Sequence, residues 1–135
     1  MGLMDMINVD KSEYAEIEKD LKEASLIDAD DELIDVEAAD YWEQFLCFQS
    51  QVRGHYYFTK KAMIFLGGIA ANTQWKVNYK DIKKLEFCGI ALFLPFGIRV
   101  HAYDEKKGKI KKYKTSFLKR KNRMEFLKEK TGLMM

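Results

Sequence analysis

The chain contains a single proline, Pro95, and two cysteines, Cys47 and Cys88, among its 135 residues. This scarcity excludes collagen-like and proline-rich extended architectures. Two thiols so far apart, each in an apolar context, read as small buried hydrophobes and not as a disulfide framework. The only histidines, His55 and His101, do not combine with them at the close spacing of a zinc site, so no metal is expected. Long hydrophobic runs are missing too. The longest apolar-rich stretch, Phe87 to Ile98, has 12 residues and contains Gly89, Pro95 and Gly97, short of the roughly 20 that span a bilayer as a helix. Met1 to Met6 carry no basic region and no signal-like apolar segment. A cytoplasmic location is expected, with peripheral attachment to a membrane as an option. Also missing are a Gly-x-Ser-x-Gly elbow, a Walker loop, a Gly-x-Gly-x-x-Gly turn and a His-Glu-x-x-His pair. Neither an enzyme nor a cofactor is expected.

What is present is a chain with 47% apolar and 33% charged residues, enough to bury the core of one globular unit. The 23 basic and 21 acidic residues leave a net charge of +2, but they are segregated. Residues 1–45 hold 15 acidic and 3 basic side chains, a net of −12; residues 46–135 hold 6 acidic and 20 basic, a net of +14. Halves of opposite sign either meet each other or meet external partners.

Two domains are expected from this division: an acidic helical extension over 1–44 and a β-rich domain over 45–132. In the extension, Tyr14, Ile17, Leu21 and Ala24 recur at helical spacing, with charges on the other faces. Asp10 and Glu13 fit a capping box at its start. A link over Leu26 to Asp35 leads to a second helical or mixed segment with Leu33, Ile34, Ala38, Tyr41, Trp42 and Phe45. Beyond Phe45, short runs of aromatic and β-branched residues are punctuated by Gly, Asn and Asp, a β texture. Strands are expected over Phe45–Val52, His55–Thr59, Ala62–Leu66, Gln74–Asn78, Ile82–Cys88, Gly97–Tyr103 and Lys109–Thr115, with tight turns at Thr59–Lys61 and Asp104–Gly108. Ser116 to Gly132 returns to helical spacing, with Phe117, Met124, Phe126 and Leu127 as its apolar stripe.

The stretch Gly54-His55-Tyr56-Tyr57-Phe58-Thr59-Lys60-Lys61-Ala62-Met63-Ile64-Phe65, followed by Tyr79-Lys80-Asp81-Ile82, resembles the GRAM branch of the pleckstrin-homology-like superfamily. Pro95-Phe96-Gly97-Ile98 and the basic strand Lys109 to Ser116 continue the same order, so the likeness covers about Phe45 to Gly132. Ala62 and Met63 depart from it, standing where Arg-Leu is common. The resemblance implies a mainly β fold, a partly open seven-stranded antiparallel barrel capped by a C-terminal helix and preceded here by acidic N-terminal helices. It implies binding and no chemistry. Within it, Leu92 to Phe96 is expected to pack inside as an apolar strand end, with a membrane-dipping loop of Phe93, Leu94, Pro95 and Phe96 as the alternative.

The candidate binding residues are Lys106, Lys107 and Lys109 around one turn, and Lys119, Arg120, Lys121 and Arg123 at the start of the last helix. Such a cluster attracts anionic headgroups by about 1 kcal/mol per residue near a membrane, although lysines at a sheet edge also serve simply to block strand addition. The function expected is a non-catalytic adaptor that engages an anionic membrane surface or a protein partner, its basic face covered by the acidic helices until a partner displaces them. An alternative is a homo-oligomer whose acidic helices dock on the basic barrel of the next subunit. Nucleic acid is disfavoured, because the acidic half repels phosphate and the aromatic signature of an RNA-binding sheet is missing. The two readings separate by light scattering. A binding module has the chain mass of 15.9 kDa at all salt concentrations, whereas charge-driven assembly gives a larger mass that falls as salt rises.

Overall fold

The computed structural model describes residues 10–45, 48–69, 72–90 and 94–133. Asp10 caps a short 3-10 turn by accepting from the Ser12 amide at 3.2 Å, and helix α1, Tyr14–Glu23, follows. Seven strands come next: β1 Leu33–Phe45, β2 Phe48–Thr59, β3 Ala62–Gly67, β4 Thr73–Asn78, β5 Ile82–Ile90, β6 Leu94–Asp104 and β7 Lys109–Ser116. A 3-10 turn over Tyr79–Asp81 links β4 to β5, and helix α2, Arg120–Thr131, ends on Gly132 at a φ of 72°, the left-handed stop that glycine permits.

All seven strands belong to one antiparallel sheet in the order β4-β3-β2-β1-β7-β6-β5. Its two halves join where Asp40, Tyr41 and Trp42 of β1 pair with Ser116, Thr115 and Lys114 of β7. One core cluster draws on every strand, from Tyr41, Tyr56 and Phe65 to Leu85, Ile98, Val100 and Tyr113, so the sheet curls around it. Phe117, Met124 and Leu127 close one end. The result is mainly β, the partly open seven-stranded barrel with a C-terminal helix that the resemblance implied.

Two expectations about elements are corrected. Leu33 to Phe45, expected to be helical or mixed, is the long strand β1, so the sheet starts at Leu33 and α1 is the sole α-helix described before it. The alternation of a strand is disguised there. A bulge between Leu33 and Asp35 shifts the register. The positions that follow toward the core side, Asp35, Glu37, Ala39 and Tyr41, begin with two carboxylates. Phe45–Val52 and His55–Thr59, expected as separate strands, merge from Phe48 onward into the single strand β2, while Phe45 ends β1. Gly54 is no turn: a Cβ there would lie 2.3 Å from the Leu66 carbonyl oxygen and 2.9 Å from the Phe65 ring. Gly54 and its cross-strand partner Gly67 thus make room for that ring.

A second cluster forms on the outer face of the sheet. Leu21 of α1, with Ile27, Leu33 and Val36, covers Ala62 and Ile64. Strand β3 is therefore buried on both sides, with Ala62, Met63, Ile64 and Phe65 all at 0% exposure, and this explains its unbroken apolar run. Leu21→Ala is expected to cost about 2–4 kcal/mol in urea denaturation; a change within experimental error would show that α1 is a solvated appendage.

Candidate functional site

The structure separates the basic residues that the sequence groups. Lys106, Lys107 and Lys109 are exposed around the β6–β7 turn, where the Asp104 carboxylate accepts from the amides of Lys106 at 3.0 Å and Lys107 at 3.3 Å. Lys119, Arg120, Lys121 and Arg123 lie beyond the other end of β7, a strand roughly 25 Å long at about 3.3 Å per residue. No single ligand of small size meets both groups.

Arg123 faces inward and is 10% exposed. Its guanidinium donates to Asp35 at 2.8 Å and to Glu37 at 2.6 and 3.0 Å, and lies 4.0 Å from the centre of the Phe58 ring. It ties α2 to β1. Burial raises the Glu37 carboxyl above its ordinary range even though Arg123 opposes the shift. Tyr14 joins the same knot, donating to Asp35 and accepting from the Val36 amide, each at 3.1 Å.

The remaining cations at the start of α2 flank an apolar surface. Arg120 stacks 4.2 Å over the Phe87 ring and donates to the Cys88 carbonyl at 3.4 Å. Lys119 and Lys121 are exposed. Near them in the chain and the fold, Leu118 is 84% exposed, Leu94 44% and Phe96 36%. These three line a cavity of about 490 Å³ whose floor includes Ile90 and Phe117. The expectation that Leu92 to Phe96 packs inside is corrected at Leu94, Pro95 and Phe96, which are exposed at the mouth of the barrel; Leu92, Phe93 and Cys47 lie outside the described residues. The sequence signal was the run Leu94-Pro95-Phe96 itself. The contribution of Leu118 carried none, since an isolated leucine beside lysines reads as part of a helix stripe.

A second basic site was not anticipated. Lys60 and Lys61 in the β2–β3 turn, Lys80 in the 3-10 turn and Lys130 at the end of α2 surround one recess of about 400 Å³. Asp28 and Asp30 pair with Lys61 at 3.4 and 2.9 Å, and Glu32 pairs with Lys60 at 3.6 Å. The hydrogen bond to Asp30 raises the Lys61 ammonium, and the same bond lowers the Asp30 carboxyl. These lysines are scattered along the chain, so only folding reveals their proximity.

His101 on β6 and Glu86 on β5 sit 2.5 Å apart, with Arg99 at 3.4 Å from the same carboxylate; the hydrogen bond to His101 is the main cause of a lowered Glu86 pKa. Among the described residues no helix is long and apolar enough to cross a membrane, and no group of three His, Cys, Asp or Glu is placed to hold a metal ion.

No sequence family matches the chain, and no curated protein matches it in sequence. Among solved structures it is similar to the C-terminal domain of an unknown protein from Leishmania infantum, at 16% identity and a TM-score of 0.62, over 88% of this chain and 97% of that one. It is also similar to the hSac2 domain of the human phosphoinositide phosphatase Sac2, at 10% identity and a TM-score of 0.60, over 92% and 84% of the two chains. The Vps36 N-terminal PH domain aligns at 13% identity and a TM-score of 0.48, over 78% and 80%. At such identities the likeness concerns the fold alone.

Removing the guanidinium leaves Glu37 buried without its partner. Arg123→Met is therefore expected to lower stability by about 3–5 kcal/mol at pH 7. A carboxyl whose folded pKa is raised binds its proton more tightly in the folded state, so its contribution to stability falls as pH rises from 4.5 upward. The loss in Arg123→Met should accordingly be smaller at pH 5 than at pH 7. Urea titrations at the two pH values check this; equal losses would contradict it.

Proposed function

We propose that the protein is a non-catalytic binding module that docks on an anionic membrane surface through the start of α2 and the adjoining strand ends. The observation that carries this reading is the 84% exposure of Leu118, which directly precedes the exposed Lys119 and shares a cavity with Leu94 and Phe96. An exposed apolar group rimmed by cations matches the interface of an anionic bilayer: hydrocarbon accepts the leucine and the phenylalanine edge, while headgroups attract the ammoniums. Water alone rewards neither arrangement, and apolar patches ringed by charge mark interaction surfaces. Arg120 supports the same face, because its stacking on Phe87 fixes a cation beside the apolar group at little entropic cost. The rhythm of Gly54 to Phe65 supports placing the chain in the GRAM branch. A peripheral, cytoplasmic location goes with this reading.

The test is co-sedimentation of the full chain with phosphatidylcholine vesicles containing graded phosphatidylserine. Binding should rise with the anionic fraction and fall with salt. Lys119→Glu with Lys121→Glu should weaken it by at least about tenfold, and Leu118→Asp should weaken it without shifting the thermal midpoint, since the side chain packs little. Lys106→Glu with Lys107→Glu, at the far end of β7, should have the smaller effect. Binding that is unaffected by the α2 variants would reject this face. Binding to a protein partner with no vesicle association would replace the membrane reading altogether.

A further inference from the structure

The recess at the opposite end of α2 has a composition that folding alone does not require. Lysine near a helix C-terminus complements the helix dipole, which accounts for Lys130. It does not account for Lys60 and Lys61 from one turn and Lys80 from another converging on the same space. Asp28 is the lone acid among the lining residues, and with Asp30 and Glu32, which pair with Lys61 and Lys60 from outside the lining, three carboxylates stand against four lysines. Tyr79 forms a fixed wall there, its hydroxyl donating to the Thr59 carbonyl at 2.8 Å. Among the described residues, no carboxylate lies within ion-pair distance of Lys80 or Lys130.

We infer that this recess binds a small anion carrying two or more phosphate groups, and that the acidic loop 28–32 occupies part of its charge when the ligand is away. The inference is independent of the membrane face, which uses other residues at the other end of the helix. The carboxylates of Asp28, Asp30 and Glu32 already show what the lysines accept, anionic oxygen at 2.9 to 3.6 Å. All three pairs are exposed, and pairs of that kind are weak and exchangeable. They are nevertheless tethered, with an effective concentration in the millimolar range. A singly charged ligand competes poorly against them. A multiply charged one that also engages Lys80 and Lys130 gains contacts that the loop does not reach, and the cavity of about 400 Å³ exceeds what one phosphate fills.

The same phosphate chemistry can come from a free oligophosphate or from a phosphorylated lipid headgroup, so the experiment has two arms. In the first, the full chain is titrated calorimetrically with inorganic phosphate, pyrophosphate and tripolyphosphate. Affinity should increase in that order. Lys80→Ala with Lys130→Ala should reduce tripolyphosphate affinity by at least about tenfold, and Asp28→Asn with Asp30→Asn should raise it several-fold. The Lys119→Glu, Lys121→Glu protein should bind tripolyphosphate with little change, which separates failure of this site from failure of the membrane face. In the second arm, phosphatidylcholine vesicles with 5% phosphatidylinositol bisphosphate replace the soluble probes, with Lys80→Ala, Lys130→Ala again as the diagnostic variant. Loss in the first arm assigns a soluble ligand, and loss in the second alone assigns a headgroup. No binding in either arm, equal affinity for phosphate and tripolyphosphate without headgroup binding, or full binding by the Lys80→Ala, Lys130→Ala protein in both arms would overturn the inference.

Discussion

The contact on which the architecture turns is the guanidinium of Arg123 held between Asp35 and Glu37. It joins the helix that closes the barrel to the strand that links the two halves of the sheet, and the aromatic faces of Phe58, Phe117 and Phe126 enclose it at 4.0 to 5.6 Å. Asp35 extends the connection to α1 through Tyr14. A buried charge group of this kind is weak evidence of added stability, because desolvation offsets much of the attraction. Its consequence is positional: two inward carboxylates on β1 are tolerable only where one cation from α2 reaches both, and this fixes how the helix sits in the barrel mouth.

The opposite charges of the two halves of the chain meet within the molecule. Glu32, Asp28 and Asp30 lie against Lys60 and Lys61, as Asp35 and Glu37 lie against Arg123. Asp31 is different in kind. It is 3% exposed and accepts from the Thr59 hydroxyl at 2.7 Å and from the Glu32 amide at 2.8 Å, so it organises the turn that presents the two lysines. The acidic segment is thus part of the fold as well as a counter-charge, and α1 completes the outer cover of β3. Lys119 and Lys121 at the start of α2 and the lysines around the β6–β7 turn are exposed to solvent or to a partner.

Much of this was legible in the sequence, and the failures have identifiable causes. Strands β3, β5 and β6 follow their apolar residues, and the closing helix follows its stripe of Met124, Phe126 and Leu127. Strand β1 was hidden because Asp35 and Glu37 occupy core-side positions and because a bulge breaks the period of two. The one-piece strand β2 was hidden because Gly54 reads as a breaker, when its role is to admit the Phe65 ring. The grouping of Arg123 with its basic neighbours failed for a related reason: charge in a sequence does not say which way a side chain points. The lysine recess could not be read at all, since Lys60, Lys80 and Lys130 become neighbours only in three dimensions.

The molecule therefore has a body set by a buried ion knot and an aromatic core, and at one end exposed apolar side chains near lysine and arginine that the other described residues leave uncovered. The central claim is that this end meets the bilayer. It is tested most directly by amide line broadening in the full-length protein bound to phosphatidylserine-containing nanodiscs doped with spin-labelled lipid. The account predicts the strongest broadening at Phe87, Leu94, Phe96, Leu118 and Lys119, and little at the β6–β7 turn. Broadening centred on Tyr103 to Lys109, or none in a bound sample, would contradict it.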